Sequence, residues 1–66
     1  MESDRALRLA RVTAIAIEII GDEQSAMRWL DTPNRALDGH RPLDQLDTDA
    51  DAREVEDVLG RIAYGV

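Results

Sequence analysis

The sequence predicts an all-α fold: a small bundle of three main helices, with two one-turn helices in the corner that connects the second to the third. Three observations carry this. Apolar residues recur at helical spacing in the long stretches; Gly, Pro and capping residues stand where those stretches stop; and no stretch alternates apolar and polar residues as a half-buried strand would. The 66 residues are one domain's worth, and residues 1–66 read as a single unit without internal repeats or low-complexity segments.

The first helix is expected over residues 4–20, with Ser3 as its N-cap and Gly21 as its stop. Leu9, Val12, Ala16, Ile19 and Ile20 share one face. Leu7, Ala14 and Ile15 fall off that face. They read either as a wide core contact or as a second surface for self-association, which would make the protein a homo-oligomer through this helix.

The second helix is expected to start after Asp22, a good N-cap with Glu23 in the first turn. Ala26, Trp29 and Leu30 share its inner face, and it should end before Pro33, since the residue ahead of a proline is pushed out of the helical region. Thr32 and Pro33 are expected to open a one-turn helix, "PNRAL", that projects Leu37 inward and ends at Gly39. "RPLDQL" repeats the device, with Pro42 opening a turn that buries Leu43 and Leu46. Trp29, Pro33, Leu37, Gly39, Pro42 and Leu43 form a rigid structural corner in this reading.

The last helix follows Thr48, whose side chain is expected to cap it, with Asp51 three residues on as in a capping box. Ala52, Val55, Val58, Leu59, Ile62 and Val66 lie within about 120° of arc on a helical wheel. The expected large core residues are Leu9, Val12, Ile19, Ile20, Trp29, Leu30, Leu37, Leu43, Leu46, Val55, Val58, Leu59 and Ile62. A core this small buries only about 60% of the unfolded surface, and with no Cys neither disulfides nor thiolate-bound zinc can reinforce it.

Composition excludes several functions. Fourteen acidic residues against eight Arg and no Lys give a net charge of −6, which repels phosphate backbones, so this segment alone is not expected to bind nucleic acid. The longest apolar run, residues 14–17, is too short to cross a membrane, and "MESDRALRLAR" has no apolar signal-peptide core, so a cytoplasmic protein without a membrane partner is expected. "DTDAD" imitates the opening of a calcium loop, but Ala52 and Val58 stand where that loop needs Gly and a bidentate Glu. His40 has only turn aspartates beside it, and turn aspartates usually satisfy local backbone. No nucleophile constellation and no Gly-rich phosphate loop is present. The expectation is a protein that is not an enzyme and uses no cofactor or metal.

Beyond these residue-level readings, the middle and end of the chain resemble a known family. The run Gly21, Asp22, Ala26, Trp29, Leu30, Pro33, Asn34, Ala36, Leu37, Gly39, Pro42, Leu43, Asp44, Leu46 and Thr48 follows the pattern of the C-terminal domain shared by the MbcA, ParS and Xre antitoxins. Val55, Leu59, Arg61, Ile62, Gly65 and Val66 match its final helix. The resemblance spans about residues 10–66 without gaps. Asp51 departs from it, standing where members usually carry Gly, and the Xre-like helix-turn-helix domain that often precedes this one is not in the chain.

The resemblance implies an antitoxin of a type II toxin–antitoxin system that binds a RES-domain toxin in a hetero-oligomer. Such toxins consume NAD⁺, and the ParT-like members use it to ADP-ribosylate a target enzyme. An acidic protein suits a cleft built for an anionic cofactor, since complementary charge speeds and directs association. Candidate toxin-binding residues are Arg61, Tyr64, Gly65 and Val66 at the chain's end, with Asn34, Arg35 and Arg41 in the corner. Tyr64 points away from the core stripe, so it is either decoration on a frayed end or an anchor for a partner's pocket. The competing reading is an acidic helical dimerisation module of a transcription regulator with no toxin partner.

Overall fold

The computed structural model describes the backbone of residues 2–65 and the side chains of residues 4–65. Three α-helices, α1 (Glu2–Ile20), α2 (Glu23–Leu30) and α3 (Asp49–Tyr64), are joined by a corner holding two 3-10 turns, Arg35–Leu37 and Pro42–Asp44. No strand occurs among the described residues; the only strand-like feature is an isolated antiparallel pairing of Asn34 with His40. The all-α class, the three helices and the two one-turn elements are as the sequence predicts.

α1 sets the size of the molecule. Nineteen residues at about 1.5 Å per residue make a rod close to the 33 Å long axis of the fold. α2 turns back against α1 after the two residues Gly21 and Asp22. α3 also packs on α1, and the ion pairs from α1 to Asp47 and to α3 give the direction. Arg5 meets Asp47, Arg8 meets Asp49 and Arg11 meets Glu56, so numbers rise together and the two helices run the same general way. The ends of α1 and α3 therefore lie towards the same end of the molecule.

Capping largely follows the sequence, with two corrections. The Asp22 side chain caps α2 by accepting from Ser25 N–H at 3.0 Å, and Thr48 caps α3 by accepting from Asp51 N–H at 3.1 Å. Helix α1, however, is already under way at Glu2, so Ser3 lies within it rather than ahead of it; the Ser3 side chain is outside the described residues. Thr32 does not cap the first 3-10 turn. Its hydroxyl donates to the Arg28 carbonyl at 2.6 Å, closing α2, and Asn34 takes the capping role by accepting from Ala36 N–H at 2.9 Å. Asn wins because its amide oxygen reaches the N–H two residues on, leaving Pro33 exposed ahead of the turn instead of inside it.

Val12, Ala16, Ala26, Leu30, Leu37, Leu46, Ala52, Val55, Val58 and Leu59 form the buried core. Leu9, Ile15, Ile17, Ile19, Ile20, Trp29 and Leu43 pack against it half-buried. Six of the expected core residues fall short of full burial: Leu9, Ile19, Ile20, Trp29 and Leu43 lie at the margin of the core, and Ile62 is exposed, while Pro42 is itself buried. Ile62, on the same helical stripe as Leu59, is 51% exposed. The apolar stripe of α3 extends a turn further than the bundle that covers it.

Candidate functional site

Beyond Leu59 the core no longer holds α3. Arg61, Ile62, Ala63, Tyr64 and Gly65 are all exposed, Tyr64 at 81%. Helical spacing puts Tyr64 on the outward side with Asp57 and Gly60, about 160° from Ile62. The last turn therefore carries apolar surface on two sides. Gly65 ends the helix in the left-handed conformation, φ +68°, with its N–H donating to the Arg61 carbonyl at 2.8 Å. Its glycine is a helix stop first, whatever else it touches. Val66 lies outside the described residues.

The corner is assembled around Asn34. Its N–H donates to the His40 carbonyl at 3.0 Å, and its own carbonyl accepts from Leu37 N–H at 3.0 Å and Gly39 N–H at 2.9 Å. Asp38 and Gly39 both take positive φ, +57° and +81°, which turns the chain back so that His40 pairs with Asn34. Gly39 suits such a position at no steric cost, and Asp is among the few other residues that tolerate it. Leu37 is driven into the core beneath, 1% exposed.

Of the three corner residues read as partner contacts, only Arg35 keeps an outward guanidinium without an ion pair among the described residues. Arg41 is occupied. Its Nε and Nη2 grip both oxygens of Asp44 at 2.8 and 2.9 Å, and its Nη1 reaches Asp31 at the end of α2. The fork-to-fork geometry favours the charged pair. It raises the Arg41 pKa above its ordinary value and holds the Asp44 carboxyl below the usual carboxylate range. Ser25, through its side chain and its backbone N–H, likewise lowers the Asp22 carboxyl. Arg41 therefore ties the second 3-10 turn to α2. Asn34 likewise spends its side-chain oxygen on the cap.

On α1, Leu7 is 68% exposed and Ala14 is exposed, but Ile15 packs on the core. Ile15 is half-buried, so the most open part of the off-stripe surface of α1 is Leu7 and Ala14. His40 is exposed, and no group of three or more His, Asp or Glu able to hold a metal ion occurs among the described residues. No helix among them is long and apolar enough to cross a membrane.

Residues 16–65 match the family model described as the antitoxin Xre/MbcA/ParS C-terminal toxin-binding domain. The chain belongs to this family. Among relatives, it is similar to an antitoxin Xre of Yersinia enterocolitica, 42% identical over 67 residues, covering 98% of this chain and 45% of that protein. An antitoxin Xre of Pseudomonas putida is 39% identical over 64 residues, covering 97% and 40% respectively. One of Photorhabdus laumondii is 36% identical over 66 residues, covering 98% and 45%. The chain spans less than half the length of these curated relatives.

Set on the fold, the Xre/MbcA/ParS match takes in the second part of α1, all of α2, the Asn34–Asp44 corner and α3 to its capping Gly65. Two features of this domain are not apparent from helical periodicity. It places Ile62 with the core, because it reports a face but not where its cover ends. It is silent on the ion pairs of Arg5, Arg8 and Arg11 with Asp47, Asp49 and Glu56, although three arginines at a spacing of three and the acidic stretch from "DTDAD" onward are a charge pattern visible in the sequence.

Proposed function

We propose that this domain is the toxin-binding part of an antitoxin of a type II toxin–antitoxin system, and that it neutralises a RES-domain toxin by entering the toxin's NAD⁺ cleft with the end of α3. The observation that carries this reading is the exposed last turn of α3. A short chain with little core to spare leaves Ile62 51% and Tyr64 81% exposed on one projecting turn. Aromatic and apolar side chains placed this way are the usual anchors of a protein interface. Arg61 and Gly65 border them, and the exposed guanidinium of Arg35 in the corner is available to the same partner.

Charge supports the same partner. The net charge of −6 complements a cleft that must accept an anionic dinucleotide, and it raises the rate of encounter more than the final affinity. The domain's part in inhibition is occupation, without turnover of its own. The test is a titration of the full chain into the cognate toxin while NAD⁺ is followed. NAD⁺ loss or ADP-ribosyl transfer should stop at a fixed stoichiometry. Undiminished NAD⁺ consumption at saturating antitoxin would refute the proposal.

A second reading is favoured by the exposed Leu7 and Ala14 on α1: self-association of the domain through that helix, as a dimerisation module of a regulator would use. Sedimentation of the chain and of Ala14→Asp decides it. A concentration-dependent dimer lost in the variant supports this reading, and a monomer in both ends it.

A further inference from the structure

The first two turns of α1 are fastened differently from the rest of the fold. From residue 12 onward, α1 is held by burial, with Val12 and Ala16 fully inside. Among the described residues before residue 12, Leu9 is the one apolar side chain packed against the core, and Leu7 is 68% exposed. What secures this stretch instead is a row of three arginines. Arg5 donates from Nε to Asp47 and from Nη2 to the Leu43 carbonyl, both at 3.1 Å. Arg8 donates to Asp49 at 3.1 Å and to the Leu46 carbonyl at 3.4 Å. Arg11 donates to Glu56 at 2.9 Å. All five acceptors belong to the exit of the corner or to the first half of α3.

We propose that residues 4–11 form an electrostatically fastened strap over the junction between corner and α3, able to open as a unit while the core stays folded. Units that open locally are those with few buried apolar contacts and exposed polar bonds, and this stretch has both properties. In each of its three ion pairs at least one side chain is about half or more exposed: Asp47 at 73%, Asp49 at 87% and Arg11 at 54%. Such pairs are weakened by salt, whereas the apolar contacts of Val12 and Ala16 are not. The strap precedes the family model's match, which begins at residue 16.

Opening has a consequence at the junction. It exposes a row made only of acceptors: the Leu43 and Leu46 carbonyls and the Asp47, Asp49 and Glu56 carboxylates.

Amide hydrogen exchange on the full chain tests this, at about 20 mM and about 500 mM NaCl, where the screening length falls several-fold. The amides of residues 6–11 should lose roughly tenfold or more of their protection at high salt, while Val55 and Leu59 change little. No change at residues 6–11, or an equal change throughout the chain, overturns the strap. Arg11→Glu should open it at low salt, and Arg11→Glu combined with Glu56→Arg should close it again. Failure of the exchanged pair to restore protection would also overturn the proposal.

Discussion

Leu59 and Ile62 lie one turn apart on the same apolar stripe of α3, and a helical wheel treats them alike. The structure does not: Leu59 is 0% exposed and Ile62 is 51% exposed. Truncating Leu59 to Ala removes fully buried methyl groups and leaves a cavity among the other core side chains, a change that costs about 2–5 kcal/mol. Ile62→Ala removes a side chain that is only half out of water. Full burial of an Ile is worth about 1.5–3 kcal/mol, so about half of that, ~1 kcal/mol, is expected here without a closed cavity. The domain as a whole has roughly 3–10 kcal/mol at 0.05–0.15 per residue. Urea denaturation followed by helical circular dichroism therefore separates the two variants: Leu59→Ala at or near unfolding, Ile62→Ala shifted modestly. Equal losses would refute the claim that the core ends at Leu59 and that the last turn is free for a partner.

Further outcomes follow from single sites. Gly60 sits inside α3 with open space where a Cβ would be, so Gly60→Ala should stabilise the helix by about 0.5–1 kcal/mol, read as a raised urea midpoint. A lowered midpoint would mean the site is crowded. Asn34→Ala removes the cap of the first 3-10 turn and should cost about 0.5–2 kcal/mol, with His40 and Gly39 amides losing exchange protection first. Unchanged protection there would count against Asn34 as the organiser of the corner. Asp44 and Asp22 are held below the unfolded carboxylate value, so on acidification the unfolded chain takes up these protons first. Their contribution is complete above the unfolded value of about 3.9 and is lost as pH falls through the lower folded values. A carboxyl-carbon titration by NMR should find the Asp44 midpoint depressed and returned upward in Arg41→Ala; a midpoint indifferent to Arg41 would contradict the fork-to-fork pair.

Much of this fold is legible in the sequence, because its signals are local. Asp22 and Thr48 cap the helices they precede, Pro42 opens its turn, and Ala52, Val55, Val58 and Leu59 share the inward face of α3. What is not legible depends on relations between elements. Asn34 rather than Thr32 caps the corner because Thr32 has a nearer acceptor in the Arg28 carbonyl, which only the end of α2 brings within reach. Trp29 is half-buried rather than central, since the eight-residue α2 places it at the margin of the core, beside Leu30 at its centre. The sequence does not show what Arg41 pairs with, because Asp31 and Asp44 arrive from two different elements to hold it. The exposed end of α3 is of the same kind: periodicity finds the stripe, and only packing finds where its cover stops.

The proposed entry of the last turn of α3 into the toxin is open to titration calorimetry of the cognate toxin with the full chain and with the double variant Arg61→Ala, Tyr64→Ala. Both side chains are exposed, so the variant should keep its helical circular dichroism. Binding should weaken tenfold or more, a loss of about 1.4 kcal/mol or greater. Unchanged affinity in a folded double variant would contradict it and place the contact elsewhere on the domain.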